Sequence, residues 1–196
     1  GATSGDAVTT GTQNTFVGSA AGTGHTTASN NTFVGFVAGG AVTTGASNTF
    51  IGALAGDAVT TGHTSVLIGQ NAGGAMTTAA ENVIIGNNAG AALTTGGQNI
   101  LIGDNAGAGG AVTGIRNVAV GDNALYSVVA GGGNIAIGYA SGNVVSSGDN
   151  NVFVGTSSGQ ANTTASGNVG VGTSALAANT TGANNVALGI RTLDVN

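Results

Sequence analysis

The sequence predicts an all-β fold, a parallel β-solenoid (β-roll) of about eleven 17-residue coils, and three observations lead there. A glycine recurs at positions 1, 18, 35, 52, 69, 86, 103, 121, 138, 155, 172 and 189, a spacing of 17 residues broken once by 18. A fixed short period means one structural unit stacked on copies of itself. Each glycine from Gly18 onward follows a short run of β-branched and other apolar residues opened by a polar one, which suits a pleated strand. The composition points the same way. The absence of cysteine removes any disulfide framework, while 41% apolar residues held in register are too many for a disordered chain.

Each unit opens on Asn14, Asn31, Asn48, Asn82, Asn99, Asn117, Asn134, Asn151, Asn168 or Asn185, with Ser65 the exception. Asparagines stacked one coil apart can bond side chain to side chain, as in cross-β assemblies, so this column predicts an asparagine ladder. The strand comes next. The residue after asparagine (Thr15, Thr32, Thr49, then Val66 to Val186) and the residue before glycine (Val17, Val34, Ile51 and so on to Leu188) share a face by the two-residue period. That face is read as the core. The middle residue then points outward, and Phe16, Phe33, Phe50, Leu67, Ile84, Leu101 and Phe153 form an apolar stripe. Such a stripe marks an interface, here expected to be buried in a homotrimer packed sheet against sheet.

The recurrent glycine supplies the corner, because it tolerates positive φ. The column three residues later (Ala21, Ala38, Ala55, Ala72, Ala89, Ala106, Ala124, Ser141, Ser158, Ala175, Thr192) is always small and predicts a crowded interior corner. A spacer and a Thr-Thr turn complete a coil expected to hold two strands and two turns in a flat, two-sheet roll. Coils roughly 4.8 Å apart make a rod on the order of 50 Å long. Residues 1–196 are read as one repeat domain, with an 18-residue coil between Gly103 and Gly121 assigned to one extra residue in Ala108-Gly109-Gly110-Ala111.

Two arginines, no lysine and a net charge of −5 exclude a basic nucleic-acid-binding stripe. No apolar run approaches the roughly 18 residues of a membrane span, so membrane insertion is not expected. Asp104-Asn105 and Asp122-Asn123 follow the corner glycine, but that position varies too widely for a repeated calcium site. His25 and His63 are read as equivalent spacer positions two coils apart, roughly 10 Å and too far for one metal to bridge. No triad spacing and no Gly-Lys-Ser/Thr phosphate loop occurs. The expectation is a non-enzyme with no catalytic residue, metal or cofactor. The chain opens on Gly1 without methionine, which predicts a processed product or part of a longer chain.

The segments Asn117-Val118-Ala119-Val120-Gly121, Asn134-Ile135-Ala136-Ile137-Gly138 and Asn185-Val186-Ala187-Leu188-Gly189 resemble the repeat of trimeric autotransporter adhesin heads. The longer unit from Asn168 to Leu176, followed by Asn179-Thr180-Thr181-Gly182, resembles repeats upstream of chaperone-type C-terminal domains in phage tail fibres. The resemblance covers the whole chain, although the adhesin-head coil is shorter. It implies a left-handed β-roll assembled as a trimer, extracellular, on a virion or bacterial surface. The function expected is a structural and adhesive fibre segment whose partners are itself and a host cell-surface glycan or receptor. Phe36, Tyr126 and Tyr139 are the coil-end aromatics available for such contacts. Two alternatives remain open. Ice binding would use the threonine column Thr26, Thr43, Thr60, Thr77 and Thr94. A self-assembling extracellular filament is suggested because both ends of the sequence fall within the repeat.

Overall fold

A computed structural model describes residues 1–194. It is a parallel β-solenoid without helix among those residues. The strands are β1 Thr15–Val17, β2 Thr32–Val34, β3 Thr49–Ile51, β4 Val66–Ile68, β5 Val83–Ile85, β6 Ile100–Ile102, β7 Val118–Val120, β8 Ile135–Ile137, β9 Val152–Val154, β10 Val169–Val171 and β11 Val186–Leu188. They form a single 11-stranded parallel sheet in sequence order. Equivalent residues lie side by side, as in Thr32↔Thr49, Phe33↔Phe50 and Val34↔Ile51.

The strands are three residues long because both flanks leave the β region. The residue before each asparagine has positive φ, as at Asn30 (65°) and Ser47 (61°), and the corner glycines have φ between 120° and 142°. At Gly35 a Cβ would collide with the Gly52 carbonyl one coil on, so only glycine turns this corner.

The expected second sheet is absent from the described residues. After the corner the chain runs through two tight turns, closed by Ala38 N–H on the Gly35 carbonyl (3.4 Å) and Val42 N–H on the Gly39 carbonyl (3.2 Å). Positive φ at Val37 (56°) and Gly39 (59°) prevents an extended run. The N–H groups in between bond alternate neighbours, Val37 to Ser19 one coil before (3.0 Å) and Gly39 to Ala55 one coil after (3.0 Å). Inter-coil bonding is thus met without extended backbone. The exception is an isolated bridge, Leu93↔Val112.

That bridge also corrects the reading of the 18-residue coil. Leu93 pairs with Val112, 19 positions on, whereas Asn99 bonds Asn117 at 18. The spacer therefore gains two residues, and the threonine pair shrinks to Thr113 alone. The Tyr126 ring occupies the space that a side chain at Gly109 would need.

Strand orientation is the main correction. The middle residue points into the solenoid: Phe33, Phe50, Leu67, Ile84, Leu101 and Phe153 are buried, and Phe16 packs partly buried against them. The flanking Thr/Val and Val/Ile columns face outward. The asparagine explains the phase. Its side chain must sit inside to reach backbone of the next coil, and Asn31, Asn48 and Asn134 are buried. The two-residue alternation then brings the middle residue inward with it.

The interior fills by volume complementarity between two columns, except at Ala136 and Gly142, which are both small and beside which Leu125 and Phe153 of the adjoining coils sit. Where the strand carries phenylalanine, the residue six positions on is glycine, since a Cβ at Gly22, Gly39 or Gly159 would strike the ring of Phe16, Phe33 or Phe153. Where the strand carries Ala119 or Gly170, that partner becomes Leu125 or Leu176, both fully buried. The small column behaves as expected, with Ala21 through Ala124, Ser141, Ser158 and Ala175 buried. Phe16, Phe33 and Phe50 stack, with ring centroids 5.3 and 4.9 Å apart.

Candidate functional site

The asparagine ladder is built chiefly from side chain to backbone. Oδ1 of Asn14 accepts Asn31 N–H at 2.9 Å, Oδ1 of Asn31 accepts Asn48 N–H at 2.9 Å, and the series continues to Asn185 N–H on Asn168 (2.9 Å). Nδ2 donates to the carbonyl of the small residue closing the same turn of chain: Asn31 to Gly45 (3.0 Å), Asn48 to Gly62 (2.9 Å), Asn134 to Gly148 (2.8 Å). Direct amide-to-amide bonds of the expected kind run from Asn99 through Asn117 and Asn134 to Asn151, at 3.0–3.2 Å, and join Asn168 to Asn185 at 3.2 Å. Asn82 and the other members complete the same column, while Ser65 accepts the Asn82 N–H at 3.2 Å. At Asn168 the pattern fails. Asn179 Nδ2 takes the Gly182 carbonyl (2.8 Å), and the buried Asn168 Nδ2 is left without a partner. The ladder holds coils together and offers no group to a ligand.

The threonine column lies at the exposed bend opposite the glycine corner. Thr26 Oγ1 donates to the Thr43 carbonyl (3.2 Å), Thr43 to Thr60 (3.2 Å), Thr60 to Thr77 (3.2 Å), Thr77 to Thr94 (3.5 Å) and Thr94 to Val112 (3.4 Å). The second threonine of each pair, at Thr27, Thr44, Thr61, Thr78 and Thr95, is exposed.

The outer face of the sheet is the feature that the inverted phase hid. Along β1–β11 it carries Thr15, Thr32 and Thr49 and otherwise only valine, isoleucine and leucine, without a charge. Val17 is 54% and Ile137 40% exposed. Parallel sheets occur almost only with both faces covered. Here the inner face packs on the chain's own turns, and the outer face has no partner among the described residues.

The remaining chemistry-bearing groups stand apart. His25 is a core residue, packed edge-on to Phe16 at 5.0 Å with Nε2 on the Ala28 carbonyl (2.8 Å). His63 is exposed beside Thr64, so the two do not occupy equivalent positions. No cluster of metal-ligating side chains and no pocket occurs among the described residues. Burial pushes the Asp57 carboxyl above its ordinary range, offset in part by its own N–H and that of Ala58. Phe36 and Tyr139 are more than half exposed beside the corner glycines, and Tyr126 is partly exposed. These sites lie on different coils and converge on no common point.

Fold and surface together define a β-solenoid repeat protein. No protein-family model, curated protein or solved structure matches the chain.

Proposed function

We propose that the chain is a non-catalytic, self-associating shaft, in which solenoids pack through the outer face of the β1–β11 sheet to form a homotrimeric fibre segment. The observation that carries this reading is the uncharged aliphatic face running the length of the solenoid. A ribbon about 50 Å by 10 Å is on the order of 500 Å², toward the upper end of the largest apolar patches that monomers expose, which are often functional. The interface of this proposal is the Val/Ile columns and not the phenylalanine column.

The face also favours a parallel arrangement of copies. Side by side in register, Thr15, Thr32 and Thr49 meet the same threonines. An antiparallel pair would set them against the aliphatic face of β9–β11, where a hydroxyl buried without a partner costs about 1–3 kcal/mol. The proposed location is extracellular, on a virion or bacterial surface. A host cell-surface glycan or receptor is the proposed further partner, with Phe36, Tyr126 and Tyr139 the exposed aromatics available to it.

Light scattering across a tenfold dilution tests the reading. A trimeric mass at every concentration is expected. A monomer would overturn self-association, and open-ended species growing with concentration would replace the closed trimer with a filament.

A further inference from the structure

We infer that the chain has a second surface, independent of the sheet face: a hydroxyl-and-methyl array that binds ice. In six consecutive coils the exposed bend carries a threonine pair, Thr9-Thr10, Thr26-Thr27, Thr43-Thr44, Thr60-Thr61, Thr77-Thr78 and Thr94-Thr95. The residue two before each pair is small, namely Ala7, Gly24, Ala41, Ala58, Ala75 or Ala92. Between this small column and the second threonine there is no charge in any of these coils.

The array is also pre-ordered. The hydroxyl of the first threonine in each pair donates to the carbonyl one coil on, at 3.1–3.5 Å from Thr9 to Thr94. That bond fixes the rotamer, so oxygen and methyl repeat at the coil spacing of about 4.8 Å. The order exists before binding, which lowers the entropy lost on meeting a lattice. An uncharged, rigid lattice of water molecules matches it, since the first threonine of each pair offers a fixed acceptor and an apolar methyl and the second adds an exposed hydroxyl and methyl beside it. A polysaccharide fits less well, because these coils present no aromatic ring on the bend for a sugar face. The array ends at the enlarged coil, where Thr113 stands alone and Val129-Ala130 follows.

The test is enrichment of the intact protein into slowly grown ice, measured beside Thr44→Lys and Thr61→Lys. Both sites are exposed, and circular dichroism checks that the variants fold. Wild type is expected in the ice fraction, and both lysine variants are expected to lose enrichment while keeping the wild-type mass. An Ile68→Asp variant, altered on the sheet face, should still enter ice. Exclusion of wild type from ice would overturn the inference, as would undiminished enrichment of folded lysine variants. Retention on crystalline cellulose without entry into ice would assign the array to polysaccharide instead.

Discussion

Replacing Phe153 with alanine empties the space between Ala136 and Gly170, its register partners on either side. Phe153 is fully buried, and neither neighbour has a side chain long enough to fill the gap. The cost should therefore fall near the middle of the range for a core phenylalanine, about 4 kcal/mol. Gly159→Leu alone drives a side chain into the Phe153 ring and places leucine at a position with φ of 59°. Overpacking and left-handed backbone together cost about 3 kcal/mol. Combined, the two changes reproduce the arrangement that Ala119 and Leu125 already use, with Leu125 buried at φ 47°. The double variant should lie about 2–3 kcal/mol below wild type, less destabilised than Phe153→Ala, so the two sites should couple by about 4–5 kcal/mol. Urea denaturation of the four proteins, followed by circular dichroism, measures this. Additive effects would refute the volume-complementarity argument.

Three further predictions rest on single columns. Ser65→Asn supplies the missing amide of the ladder, aimed at the Ala79 carbonyl, and should raise stability by about 1 kcal/mol in the same denaturation assay. Val37→Asn should also stabilise, by about 1 kcal/mol, because β-branched Val37 sits at φ 56° where Asn71, Asn88, Asn105 and Asn123 occupy the equivalent position. Asp57 has a raised pKa caused first by burial, so its neutral form favours the fold. The stability this confers is present at low pH and is lost as pH rises through the folded-state value. Asp57→Asn should melt with wild type at acid pH and above it at neutral pH, as read by thermal denaturation across the carboxylate range.

The period, the glycine corners, the small column and the asparagine column were legible because each is a strict repeat with one physical cause. The strand phase was not. Alternation identifies the inner face only where the other face is polar, and here Phe50 and its flanking Thr49 and Ile51 offered no such contrast. Two signals in the sequence could have decided it. Phe153 pairs with Gly159, while Gly170 pairs with Leu176; such exchange of volume belongs to an interior. The asparagine, two residues before the strand centre, shares its face and must be inside to bond the next coil. The single-sheet architecture was hidden for another reason. Positive φ at residues such as Val37, Leu54 and Leu125 is set by inter-coil bonding, which side-chain propensity does not announce.

The most direct test compares charges at adjacent positions of one strand by sedimentation velocity. Leu67→Asp places a carboxylate in the interior and should yield unfolded or aggregated protein. Ile68→Asp places it on the outer face and should yield a folded solenoid that sediments as a monomer, where wild type sediments as a trimer. A folded Leu67→Asp protein beside an unfolded Ile68→Asp protein would reverse the two faces, and a trimeric Ile68→Asp protein would remove the outer sheet face from the interface.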